Sequence, residues 1–125
     1  MIKRPLNARF AEKVRAGIKI TTIRDKAWPV NQPIMLYSWS GLPYRSPQID
    51  VAAVRVSGFW PITIAHVADD SMRYAYGMEC EKPIHETEGF NSKKEMDAWF
   101  RLVVKKGEYA TKCLMRFELI EKEDA

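Results

Sequence analysis

The run Ile49-Asp50-Val51-Ala52-Ala53-Val54-Arg55-Val56-Ser57-Gly58-Phe59-Trp60-Pro61-Ile62-Thr63-Ile64 is rich in β-branched and aromatic residues, the types that suit a pleated surface. Ile49–Val56 is predicted to be a long strand, and Gly58 and Pro61 predict a bulge or bend before a second stretch, Ile62–Ile64. On its N-terminal side, Ile34–Trp39 is another compact apolar run. Only the turn signal Ser40-Gly41-Leu42-Pro43 and a few polar residues separate the two. Strands joined by turns rather than by helices predict antiparallel pairing.

Further out in both directions the pattern holds. Residues 7–16 read as a short helix, capped by Asn7, with Phe10 and Val14 four apart and Gly17 as its stop. Ile20–Arg24 is a short β-branched strand, followed by a charged turn through Asp25, Lys26 and Pro29. Residues 66–90 read as irregular, with a short helix near Asp69–Tyr74. The strongest helix begins at Ser92, where Ser92-Lys93-Lys94-Glu95 has the form of a capping box in which Glu95 reaches back. Met96, Trp99, Phe100 and Val103 then form an apolar stripe; Lys105, Lys106 and Gly107 mark the end. Cys113–Ile120 is a last strand, buried on at least one face. Residues 1–125 are expected to form a single α+β domain, a small β-barrel of about five mostly antiparallel strands with two or three flanking helices.

Composition narrows the class. Of 125 residues, 46% are apolar and 29% charged, so neither disorder nor a fibrous repeat is indicated. No apolar run has the length of a membrane span, and Met-Ile-Lys-Arg-Pro-Leu is not a secretory leader, so a cytoplasmic location is expected. Cys80 and Cys113 lack a CxxC and His66 and His85 lack metal-ligand spacing, which excludes zinc fingers and disulfide scaffolds; no metal or cofactor is expected. There is no P-loop and no GxGxxG. Residues 1–62 hold ten Lys and Arg against three acids, a balance of +7, while residues 63–125 hold ten against thirteen. A basic half is the footprint of a phosphate-facing protein; a solubility surface of uneven sign gives the same count.

Three groups of residues could carry chemistry. Gly17–Asp25 places Lys19, Thr21, Thr22, Arg24 and Asp25 at a helix-to-strand junction. An amine with a depressed pKa could take the proton of a threonine hydroxyl and make it a nucleophile. Lys19 and Thr22 are three apart, so Lys19 must lie in the turn before the strand or fold back to reach Thr22. Glu88-Gly89-Phe90, before the capped helix, offers a proton donor. Trp39, Tyr37, Tyr44, Phe59 and Trp60 interleave with Arg45 and Arg55, as in a surface that stacks nucleobases. Trp28 and Trp39 flank turns and are the aromatics expected to be exposed. Each group also has a plain structural use, as strand threonines with a solvated lysine, a helix-start carboxylate, and core aromatics.

Together these residues resemble the ASCH family of the PUA-like superfold. The resemblance rests on Phe10, Gly17-Ile18-Lys19-Ile20-Thr21-Thr22-Ile23-Arg24, the strand Ile34–Leu36, Glu88-Gly89-Phe90 with Ser92 and Trp99, and Arg116-Phe117-Glu118-Leu119. It covers nearly the whole chain, and its specific part is the joining of G-x-K-x-x-T-I-R to a downstream E-G-F. It implies an amidohydrolase that removes the acetyl group of N4-acetylcytidine, with Lys19 as base, Thr22 as nucleophile and Glu88 as proton donor. Arg24 or backbone amides would steady the oxyanion, and Arg24, Thr21 and Trp39 would contact the substrate. The implied partner is a modified nucleoside or single-stranded RNA, with no role for DNA or a membrane. The alternative is an RNA-binding module, with ribonuclease activity as a variant, in which Lys19 and Arg24 touch phosphate and Trp39 stacks on a base.

Overall fold

The computed structural model describes residues 1–67 and 71–120. Its spine is β4 (Gln48–His66), one continuous strand where the sequence predicts two. The expected bulge is present, as a register shift between Val56 and Gly58. Pro61 does not break the strand. β5 (Met72–Tyr76) joins β4 only from Ile62, leaving one edge at Pro61 unpaired, the situation in which a strand tolerates proline.

β3 (Pro33–Trp39) pairs with the first part of β4, and β6 (Tyr109–Leu119) with the remainder along the opposite edge, both antiparallel. β2 (Thr21–Arg24) continues antiparallel beyond β6, and β1 (Ile2–Pro5) pairs parallel with β3. The order is β1-β3-β4-β6-β2, with β5 on β4. This is an α+β fold on a six-stranded, mostly antiparallel sheet. The sheet is not closed: β1 and β2 remain edges, and the Arg24 side chain spans them by donating from Nη2 to the Pro5 carbonyl at 2.7 Å.

The helices pack over this sheet. Asn7 accepts the Arg9 N–H at 3.1 Å, as an N-cap should, but the predicted 7–16 helix is a tight turn at Ala8–Phe10 followed by α1 (Ala11–Arg15). Gly17, with φ of 72°, ends it. A single helical turn, α2 (Ile84–Thr87), lies in the stretch read as irregular. The helix expected near Asp69–Tyr74 is corrected where it is described, because Met72–Tyr76 is strand; Asp69 and Asp70 lie outside the described residues.

α3 (Lys93–Arg101) starts as predicted, with the Ser92 hydroxyl accepting the Glu95 N–H at 3.1 Å. Its capping box is not reciprocal, however: the Glu95 carboxylate accepts from the Asn91 amide and pairs with Arg9. The helix also ends five residues before Lys106. The chain turns after Arg101, so Val103 is 49% exposed and Val104, at 3%, takes the inward place. Core residues from both layers meet between sheet and helices, among them Ile34, Val54, Ile64, Leu114, Val14, Met96 and Phe100. Trp28 is buried in this core, contrary to expectation, while Trp39 is half-buried. Among the described residues no helix is long and apolar enough to cross a membrane.

Candidate active site

The segment between α1 and β2 is held by its backbone. The N–H groups of Ile18 and Lys19 both donate to the Lys13 carbonyl, that of Ile20 donates to Thr87, and the Ile20 carbonyl accepts from Phe117. Lys19 therefore lies in the turn before the strand, the first of the two placements its spacing from Thr22 allows. The single turn of α2 delivers Glu88 to the same place, its N–H bonded to the Ile84 carbonyl. Gly89 makes this approach possible. Its φ is 92°, and a Cβ there would come within 3.1 Å of Phe10 and 3.2 Å of the Lys19 side chain.

The two side chains meet almost out of water. Lys19 and Glu88 are each 4% exposed, with Nζ 3.8 Å from Oε1. Nζ donates to the Glu88 backbone carbonyl at 2.6 Å and sits 4.8 Å from the centre of the Phe10 ring. Burial pushes the Lys19 amine below the usual lysine range; Glu88 opposes that shift and Arg24 adds to it.

Lys19, Thr22, Arg24 and Glu88 line one cavity of about 380 Å³. Phe10, Phe90, Trp99 and Phe100 give it an aromatic wall, Leu6 and Asn7 lie on its β1 side, and Asp25 and Lys112, an ion pair, lie at its border. The Arg24 guanidinium donates from Nε to the Thr22 hydroxyl at 3.0 Å and packs 4.8 Å from the Trp28 ring centre. Burial lowers its pKa as well, against the pull of Glu88. The Thr22 oxygen thus faces a cation. Among the described residues no hydrogen bond joins Lys19 to Thr22.

Two expected substrate contacts fall elsewhere. Thr21 does not line the cavity: alternation in β2 turns it to the opposite face from Thr22, where its hydroxyl meets the Glu88 carboxyl and Thr87. Trp39 lies at the tip of the β3–β4 hairpin, against Tyr37 and Tyr44, away from the cavity. The tryptophan beside the site is Trp99 instead, which sequence periodicity assigns to the helix core stripe. Its ring packs edge-on against Phe10 and Phe90, and the Arg9 guanidinium lies within 5.6 Å of all three ring centres. Asn7, legible only as a cap, is another wall residue that sequence reasoning did not assign to the site, as are Leu6, Phe100 and Lys112. Among the described residues no three His, Cys, Asp or Glu side chains gather as metal ligands.

Compared with protein-family models, with curated proteins and with solved structures, the chain finds no match.

Proposed function

We propose that the protein is an amidohydrolase that removes the acyl group from N4-acetylcytidine or a related acylated nucleoside, in line with its resemblance to the ASCH family. The observation that carries this reading is the buried Lys19–Glu88 pair sharing one cavity with the Thr22 hydroxyl. A cavity of about 380 Å³ falls within the range of roughly 300–1,000 Å³ in which small-molecule sites occur. Its aromatic wall suits a planar base.

The chemistry balances with these residues alone. Lys19, as the free amine, takes the Thr22 proton, and Oγ1 attacks the acyl carbonyl carbon. The Arg24 guanidinium, already on Oγ1, favours the developing alkoxide and oxyanion. As the C–N bond breaks, the exocyclic nitrogen takes a proton from Glu88. Water then attacks acyl-Thr22 and gives its proton to Glu88, while the departing Thr22 oxygen recovers the proton held by Lys19. The products are acetic acid and cytidine.

The RNA-binding reading draws on the exposed hairpin tip, where Tyr44 stands beside Trp39. It has less support because it asks Lys19 to meet phosphate, and that amine is buried against Glu88. Incubating purified protein with N4-acetylcytidine tests the proposal: cytidine should appear, and Thr22→Ala should reduce the rate at least about a thousandfold, as loss of a catalytic nucleophile does. Intact substrate after prolonged incubation at high enzyme concentration would refute it.

A further inference from the structure

Most polar groups around the cavity are committed within the fold. Lys19 donates to the Glu88 carbonyl, the Thr22 hydroxyl accepts from Arg24 Nε, Arg24 Nη2 serves Pro5, and Asp25 is paired with Lys112. Asn7, on the β1 side, is only half committed. Its Oδ1 accepts the Arg9 N–H at 3.1 Å, the cap that opens the Ala8–Phe10 turn. Among the described residues nothing accepts from its Nδ2, and the residue borders the cavity.

The cap fixes which end of this carboxamide is which. A backbone N–H only donates, so turning the amide over would set Nδ2 against the Arg9 N–H, donor to donor. An unconstrained asparagine can rotate to offer either its oxygen or its nitrogen; Asn7 cannot do so without losing its cap. The frame around it is held as well. The Leu6 N–H donates to the Tyr37 carbonyl at 2.8 Å, and the Phe10 N–H to the Asn7 carbonyl at 3.0 Å. The Arg9 side chain is pinned by Glu95 and packs on the rings of Phe10, Phe90 and Trp99. Nδ2 therefore keeps its place as a donor whatever enters the cavity.

We infer that Asn7 is a specificity-determining residue that donates from Nδ2 to N3 of the pyrimidine, so that the cavity takes cytosine-type bases and rejects uracil-type ones. The choice of ligand rests on the amidohydrolase reading of this cavity; the one-way donor rests on geometry. N3 is the ring atom next to the carbon that carries the exocyclic nitrogen, so it enters the cavity with the amide under attack. It is also where the two bases differ. Cytosine N3, acylated at N4 or not, presents a lone pair, whereas uracil N3 carries a proton. Against Nδ2 the first makes a hydrogen bond. The second brings N–H against N–H and strips water from both without a bond in return. Discrimination by an unpaired polar group exceeds what an apolar wall of rings provides, because the rings meet both bases alike.

The test is binding of cytidine and of uridine, measured by isothermal titration calorimetry, which needs no turnover. The native protein should bind cytidine about tenfold more tightly than uridine, the worth of one hydrogen bond. Asn, Asp and Ser cap about equally well, so Asn7→Asp and Asn7→Ser retain the acceptor for Arg9 and should keep the native urea midpoint. Asn7→Ser loses the donor and should bind the two nucleosides alike. Asn7→Asp presents an acceptor in its place and should turn the preference to uridine, a reversal that no structural role produces. With N4-acetylcytidine as substrate, Asn7→Ser should raise KM about tenfold and leave kcat nearly unchanged. A native protein that binds neither nucleoside, or that prefers uridine, overturns the inference. So does a cytidine preference that survives in either variant, with both affinities falling together, the mark of a residue that only walls the cavity. Should one variant lose the fold, the other decides it. Intact N4-acetylcytidine alongside a reversed preference in Asn7→Asp would leave the inference standing and sink the hydrolytic reading alone.

Discussion

A lysine amine that is 4% exposed must have its charge matched or give it up, and among the described residues the carboxylate that matches Lys19 is Glu88. This has a consequence for stability whose sign is fixed. Burial holds the folded-state pKa below the ordinary 10.5. Counted on the amine alone, between those two values the unfolded chain holds a proton that the folded amine has released, so this group's contribution to stability rises with pH across that window; below it the penalty applies in full. Lys19→Met removes this contribution. The urea midpoint of the native chain, measured against that of Lys19→Met from neutral pH towards 10.5, should climb relative to the variant, and parallel curves would contradict the assignment. Sequence reading narrowed Lys19 to the turn before the strand or a folded-back side chain, because the spacing forbids Lys19 and Thr22 from one face of a regular strand. It could not place Thr21, since alternation says that Thr21 and Thr22 face opposite sides but not which side holds the cavity. Only the packing of α2 against β2 decides that.

Among the elements, the block Glu88–Ser92 shows what local signals can and cannot convey. The Ser92 cap and the start of α3 were legible, because a cap is written in four consecutive residues. The end of α3 was not. Lys105, Lys106 and Gly107 have the chemistry of a helix terminus, yet the chain leaves the helix after Arg101 to bury Val104 and enter β6. β5 was missed although Met72, Tyr74 and Tyr76 alternate with more exposed neighbours, a period of two that a helix does not produce. Gly89 was noted as part of a motif, but its necessity comes from contacts with Phe10 and Lys19, remote in sequence. Gly89→Ala places a methyl group within 3.2 Å of the Lys19 side chain on a backbone with φ of 92°. The expected cost is about 1–3 kcal/mol, from the strained backbone conformation. It should appear as a lower urea midpoint, together with a loss of hydrolysis larger than unfolding accounts for, because Lys19 and Glu88 are displaced together. A variant that keeps both native stability and native rate would show that the approach of these segments is not tight.

At the scale of the molecule, the two edges of the sheet come together at the site. β1 and β2 lie at opposite ends of the strand order, and no sequence pattern announces that they are near one another; β1 itself, four residues with little alternation, was not legible. What joins them is Arg24, which donates to Pro5 on one edge and to Thr22 on the other while its plane packs on Trp28. The same cation therefore holds the open side of the sheet and faces the proposed nucleophile. Part of the basic excess of residues 1–62 is matched by acids of the other half, Arg9 by Glu95 and Lys19 by Glu88. Arg24→Met separates these roles from charge steering. The methionine retains apolar contact with Trp28 but donates to neither oxygen, and hydrogen bonds from a charged donor are each worth about 1.5–3 kcal/mol. The Pro5 carbonyl is exposed and regains its partner from water, so the net loss of stability should be near the lower end of that range. Hydrolysis should fall by more than stability does, because water cannot replace the fixed cation on Thr22 Oγ1. Amide exchange measured across β1 and β2 should quicken in the variant while β4 and β6 stay protected, since β4 and β6 form the interior of the sheet and the arginine holds only its edges.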